Sequence, residues 1–260
     1  MFKNEQHISG ANGENKMRII AVTSQKGGSG KTTLSGHLAV AADRAGVGPV
    51  ALIDTDPQGS LADWWNEREN PSPAFVQTTI ASLGEDLQQL KEQGVRLVII
   101  DTPPAITRSI QAVVSKADLV VIPTRPSPHD LRAAGATVDL VERAGKPLIF
   151  VVNGATARAR LTGEAAIALS QHGTVAPIVI HNRQDFAASM IDGRTVMEVD
   201  GSGKSAEEVE KLWSYVESRV RKLPVKATFK AAAMPKANFG RRITSHELSS
   251  EDRAETQYVS

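Results

Sequence analysis

The chain has 260 residues, with 30 Lys and Arg against 29 Asp and Glu for a formal net charge of +1, and no cysteine. Without thiols, a disulfide framework, a cysteine nucleophile and a thiolate-held metal cluster are excluded, whereas the balanced charge leaves nucleic acid open because a basic face can hide in a neutral total. A hydrophobic fraction of 41% supports one α/β core with tails; no apolar run reaches membrane-spanning length and the N-terminus lacks a signal-peptide core, so a cytoplasmic protein is expected.

Residues 1–16 are polar and aperiodic, and read as a flexible tail. The stretch Ile19 to Thr33, IIAVTSQKGGSGKTT, then runs from a β-type segment through a glycine-rich loop into a helical pattern. Gly27, Gly28 and Gly30, with Ser29 between them, let backbone N–H groups approach phosphate oxygens, and the following helix points its positive end at the same anion. Lys31 supplies a point charge for β and γ phosphates, and the Thr32 hydroxyl, followed by Thr33, is placed to ligate Mg²⁺.

The next apolar segment, Val50 to Asp54, ends in Asp54-Thr55-Asp56-Pro57-Gln58-Gly59. Two carboxylates beside a triphosphate argue for metal and water handling; an Asp-Pro turn with helix-capping acids is the alternative. Residues 60–69 read as a short helix with Trp64 and Trp65 adjacent, so at least one indole is expected at a rim or interface. A strand near 75–78 and a helix over 83–93 follow. Residues 95–101 form a buried-type strand ending in Asp101, the Walker B arrangement for a carboxylate serving Mg²⁺, and the Thr102-Pro103-Pro104 loop beyond it suits a switch.

A strand over 118–124 leads through RPSPHDLRA into a helix reaching about residue 144, with His129 read as a surface or cap neighbour. Residues 147–153 form another strand, with a helix over 162–171 and a closing strand over 175–180. A helical segment from Arg183 to Lys222 follows. Arg219, Arg221 and Lys222 at its end serve a DNA surface or merely the helix dipole. From Leu223 to Arg242 the chain carries Lys226, Lys230, Lys236, Arg241 and Arg242 without an acid. A flexible, basic and then polar tail over 223–260 is expected, adding salt-sensitive affinity for nucleic acid.

Alternating strands and helices predict an α/β fold, a mostly parallel twisted sheet with helices on both faces. The glycine loop departs from G-x-x-x-x-G-K-S/T, with Gln25 where the first glycine belongs and Lys26 just inside. This KGGxGKT pattern, the DxDPQG string at 54–59 and the IPxxPSxxDLxA string at 122–133 together resemble the ParA/MinD family of deviant Walker A P-loop ATPases, over about residues 17–222. The resemblance implies ATP and Mg²⁺ as ligands and a sandwich homodimer in which Lys26 reaches the partner's ATP. It gives Asp54 and Asp101 to the metal side with Thr32, Asp56 to the attacking water, and Asn153 to the adenine. It gives Lys204 to nonspecific DNA, and implies a ParB-like or cargo-adaptor protein that stimulates hydrolysis, with nucleoid association in the ATP state. The alternatives are a MinD-like membrane switch, disfavoured by the proline-broken tail after Leu223, and a metabolic ATP-dependent synthase, which would need a second substrate pocket.

Overall fold

The computed structural model describes residues 16–104 and 108–223; the expected tails over 1–15 and 224–260, and residues 105–107 of the loop after the Pro pair, lie outside these. The order is β1 (Arg18–Val22), α1 (Lys31–Arg44), β2 (Val50–Asp54), α2 (Ser60–Asn66), β3 (Ala74–Gln77), α3 (Leu83–Glu92), β4 (Leu97–Asp101), α4 (Arg108–Lys116) and β5 (Leu119–Thr124). Then come α5 (Pro128–Arg143), β6 (Leu148–Ala155), α6 (Arg160–Ser170), β7 (Thr174–Val175), β8 (Ile180–His181), α7 (Gln184–Met190), α8 (Val196–Val199) and α9 (Lys204–Arg221).

The strands pair in parallel in the order β3-β2-β4-β1-β5-β6-β7, with β8 also beside β6. Helices cover both faces, so β2, β4 and β5 are buried at every position, which is why they read as unbroken apolar runs rather than alternating ones. Alternate residues serve opposite layers. Ile20, Val22, Leu52 and Ile99 pack toward α1 and α9, while Ala21, Ile53, Val98 and Ile100 pack toward α3, α4 and α5.

Three expectations change. The helix α4 was not foreseen, although Ile110, Val113 and Val114 carry helical spacing and are buried; the prolines just upstream masked that signal. The single strand expected over 175–180 is two short ones, because Pro177 has no N–H to continue the ladder after Ala176 N–H has bonded Phe150 O. Neither indole stands at an exposed rim: Trp64 is 4% exposed and Trp65 8%. The helix α2 sits in a corner, so side chains 100° apart both find cover. Trp65 stacks on Phe75 and donates to Pro73 O, while Trp64 lies against the bare Cα of Gly36, under Arg68, and donates to Arg194 O.

Candidate nucleotide site

Parallel pairing brings the carboxyl ends of β1, β2, β4, β5 and β6 to one edge of the sheet, where an open α/β fold builds its site. The loop after β1 arrives there between the segments that follow β4 and β5. Gly30 is held at φ 91°, and a Cβ there would lie 2.2 Å from the amide nitrogen of Asn153. Glycine is therefore required twice, by conformation and by space. That amide donates to Ser29 O at 2.6 Å. Asn153 thus props the loop from below. Gly30 caps α1 without a side-chain hydrogen bond, so the first-turn N–H groups remain open to an anion. The Ser29 hydroxyl is buried with no partner among the described residues.

Lys31 is buried, and desolvation lowers its ammonium pKa against the opposing pull of Asp101 and Asp56. Asp101, one residue across the sheet from Asp54, accepts from the Thr32 hydroxyl at 2.6 Å and from Thr102 N–H at 3.1 Å. Burial pushes its carboxyl up to about 7, with neighbouring Asp54 adding to the rise and the Thr32 hydrogen bond and Lys31 opposing it. Such a carboxylate gains from a cation beside it.

Asp54 spends its oxygens differently. It accepts from Asp56 N–H at 2.8 Å and from Leu61 and Ala62 N–H at 3.2 Å, so it binds the loop after β2 to the first turn of α2. Its carboxyl is raised by burial, against those same bonds. The consequence is that Asp56 is held in place, half-exposed, with its carboxylate accepting only Gln58 N–H among the described residues. Of the three acids expected here, Asp101 faces Thr32, Asp54 organises and Asp56 is presented. Lys26 and Gly27 lie exposed on the outer rim of the loop, and the Lys26 ammonium has no partner among the described residues.

Along Gly28, Gly30 and the first turn of α1 runs a cavity of about 640 Å³, walled by Asp63 and Trp64 of α2 and its C-cap Glu67, by Arg125 after β5 and by Met190 and Ile191. Of these wall residues only Trp64 was singled out from sequence, and not for this cavity: α2 approaches the loop only once folded, and Arg125 occupies a variable position of its motif. His37, invisible to motif reading, is fully buried. Its Nδ1 meets Thr33 O at 2.7 Å and its Nε2 accepts Val196 N–H at 3.2 Å, tying the loop helix to α8. Burial pushes its pKa down to about 4, so it is neutral. Beside it, Arg68 makes a bidentate pair with Glu198, joining the turn after α2 to α8.

Lys204 opens α9, whereas Arg219, Arg221 and Lys222 close it, about 25 Å away along the axis. Arg221 is paired with Glu217 at 2.7 Å and Arg219 reaches Thr174 Oγ1 at 3.4 Å. These cations do not form one patch within a subunit.

Residues 20–196 match the model of the CobQ/CobB/MinD/ParA nucleotide binding domain. The chain belongs to that family. Within it, maintenance of carboxysome distribution protein A of Gloeobacter kilaueensis is 36% identical over 207 residues, spanning 74% of this chain and 89% of that protein. The protein of the same description from Halothiobacillus neapolitanus is 28% identical over 214 residues, 78% and 97% of the two chains. The ATP complex of Cyanothece McdA shares the fold with a TM-score of 0.65 at 18% identity, covering 82% of this chain and 100% of that one. The cell division ATPase MinD of Pyrococcus furiosus does so at 0.62 and 20% identity, covering 78% and 99%. The ParA/MinD resemblance read from the three motifs is therefore confirmed, and the cavity runs along the glycine loop of this ParA/MinD protein.

Proposed function

We propose that the protein is a ParA-type positioning ATPase, in which ATP joins two copies face to face, the ATP-bound dimer holds DNA without sequence preference, and a partner protein stimulates hydrolysis to release it. The observation that carries this reading is the convergence of the loop, Asp56 and Asp101 at one sheet edge, with Lys26 left outside on the rim without a partner among the described residues. A lysine inside a phosphate loop that serves no group among the described residues suits a site completed by a second copy.

In hydrolysis, positioning and charge neutralisation dominate. The open N–H groups of α1 and Lys31 hold the phosphates. Thr32 and Asp101 form an all-oxygen donor pair that fits Mg²⁺, and the proton affinity of the buried Asp101 carboxylate is what a dication relieves. When bound, Mg²⁺ supplies charge neutralisation of the phosphate oxygens. Asp56, fixed through Asp54, orients or deprotonates the attacking water, and the partner's copy of Lys26 adds a cation to the γ phosphate. Departure of that phosphate removes what both loops face, so the two copies separate. Such a trans cation is worth roughly 10³ to 10⁵ fold in analogous systems, so turnover outside the ATP-joined dimer is low.

The relatives matched over most of the chain are described by carboxysome distribution, which favours a large protein assembly as cargo over a plasmid or chromosome. Cytoplasmic localisation with nucleoid association in the ATP state belongs to the same proposal. Among the described residues, no helix is long and apolar enough to cross a membrane.

The deciding experiment measures binding to a random-sequence DNA duplex with ATP, with ADP and without nucleotide, at two salt concentrations. ATP-selective, salt-sensitive binding is expected. Absence of binding in every state, with ATPase activity intact, would overturn the DNA part of the reading and point to a membrane or protein surface.

A further inference from the structure

Arg125 stands one residue beyond β5, the strand that pairs with β1, and so beside the loop that β1 feeds. Its exposed side chain lies across Gly154, where a Cβ would meet its Nε at 3.5 Å and its Cγ at 3.6 Å. The stem is thereby steered along β6 toward the cavity, and the residue lines it. No carboxylate among the described residues pairs with it.

The charges of the cavity wall make this placement consequential. The lining cations are Lys31 and Arg125, and the lining acids are Asp63 of α2 and Glu67, the residue that caps its C-terminus. A polyanion in this space is repelled from the α2 side and drawn toward β5. We infer that Arg125 is a further binding residue of the nucleotide site, contributing a charge-assisted hydrogen bond to the phosphates shared by ADP and ATP, within its own subunit. The inference rests on the nucleotide-site reading above. It differs from the role proposed for Lys26, which acts across the dimer and requires the γ phosphate.

The test is calorimetric titration of the full chain with ADP and with a non-hydrolysable ATP analogue, comparing wild type with Arg125→Ala, Arg125→Gln and Arg125→Lys. Arg158→Ala serves as a control at an exposed arginine that does not line the cavity. Loss of one charge-assisted contact predicts affinity about ten-fold weaker for both ligands in Arg125→Ala and Arg125→Gln. Partial recovery is expected in Arg125→Lys, with no change in Arg158→Ala. The wild-type affinity should also fall more steeply with added salt than that of Arg125→Gln. Unchanged ADP affinity in the folded Ala and Gln variants, beside normal wild-type binding, would overturn this inference alone. A loss confined to the ATP analogue would place Arg125 at the subunit interface and overturn it equally, whereas a wild type that binds neither ligand would sink the nucleotide-site reading itself.

Discussion

The nucleotide edge and helix α9 were assembled in opposite ways. At the edge, residues from three stretches far apart in the chain meet, with Thr32 of the loop and Thr55 after β2 both hydrogen-bonded to Asp101. In α9, candidates drawn from one continuous stretch end up a helix length apart. Parallel crossovers return each strand to the same edge, so sequence distance vanishes there; a straight helix adds about 1.5 Å per residue and preserves it. Nearness in sequence is thus a poor guide to a shared surface, whereas position at the end of a parallel strand is a good one.

The sharpest way to break this contrast is at the edge. Lys31→Ala should abolish ATP binding, as read by titration, because no second buried cation lies in the loop; retained normal affinity would remove the phosphate assignment. Asp56→Ala should keep ATP and trap the dimer while turnover falls about 10² to 10⁴ fold, the range for a lost general acid or base. Unchanged turnover would transfer water handling to another group.

His37 connects the two regions, since its ring ties the first turn of α1 to α8, immediately before α9. Its folded pKa of about 4 lies below the ordinary value of 6.5, so between these pH values the unfolded chain binds the extra proton. Its contribution is therefore present above pH 6.5 and lost as pH falls toward 4, by about 3 kcal/mol at most. Urea denaturation across that range should show the decline, and His37→Asn should flatten it; an identical pH profile in the variant would assign the acid sensitivity elsewhere. The smallest effects belong to α9. If Lys204 meets a phosphate, Lys204→Ala should reduce the salt slope of DNA binding by about 1 with ATP turnover intact, whereas Arg221→Ala, whose guanidinium is already engaged by Glu217, should change it less. Equal effects at both ends would show a DNA surface formed across two subunits.

The phosphate loop was legible because one run of residues carries it whole: glycines for conformation, a lysine for charge, a hydroxyl, and a helix start, all set by local backbone geometry. The parallel sheet was legible in the unbroken apolar strands, and helix α4 was missed only because prolines stood before a valid helical spacing. Folding alone decided that Asp54 would spend its oxygens on backbone N–H groups while Asp101 faced Thr32, since both acids end identical-looking strands and differ only in what lies opposite. It likewise decided that Asn153 would support the loop, that both tryptophans would find a buried corner, and that Arg125 would line the cavity. Chain chemistry is local and could be read in order; hydrogen-bond partners, burial and the sharing of a wall depend on which segments the sheet brings together.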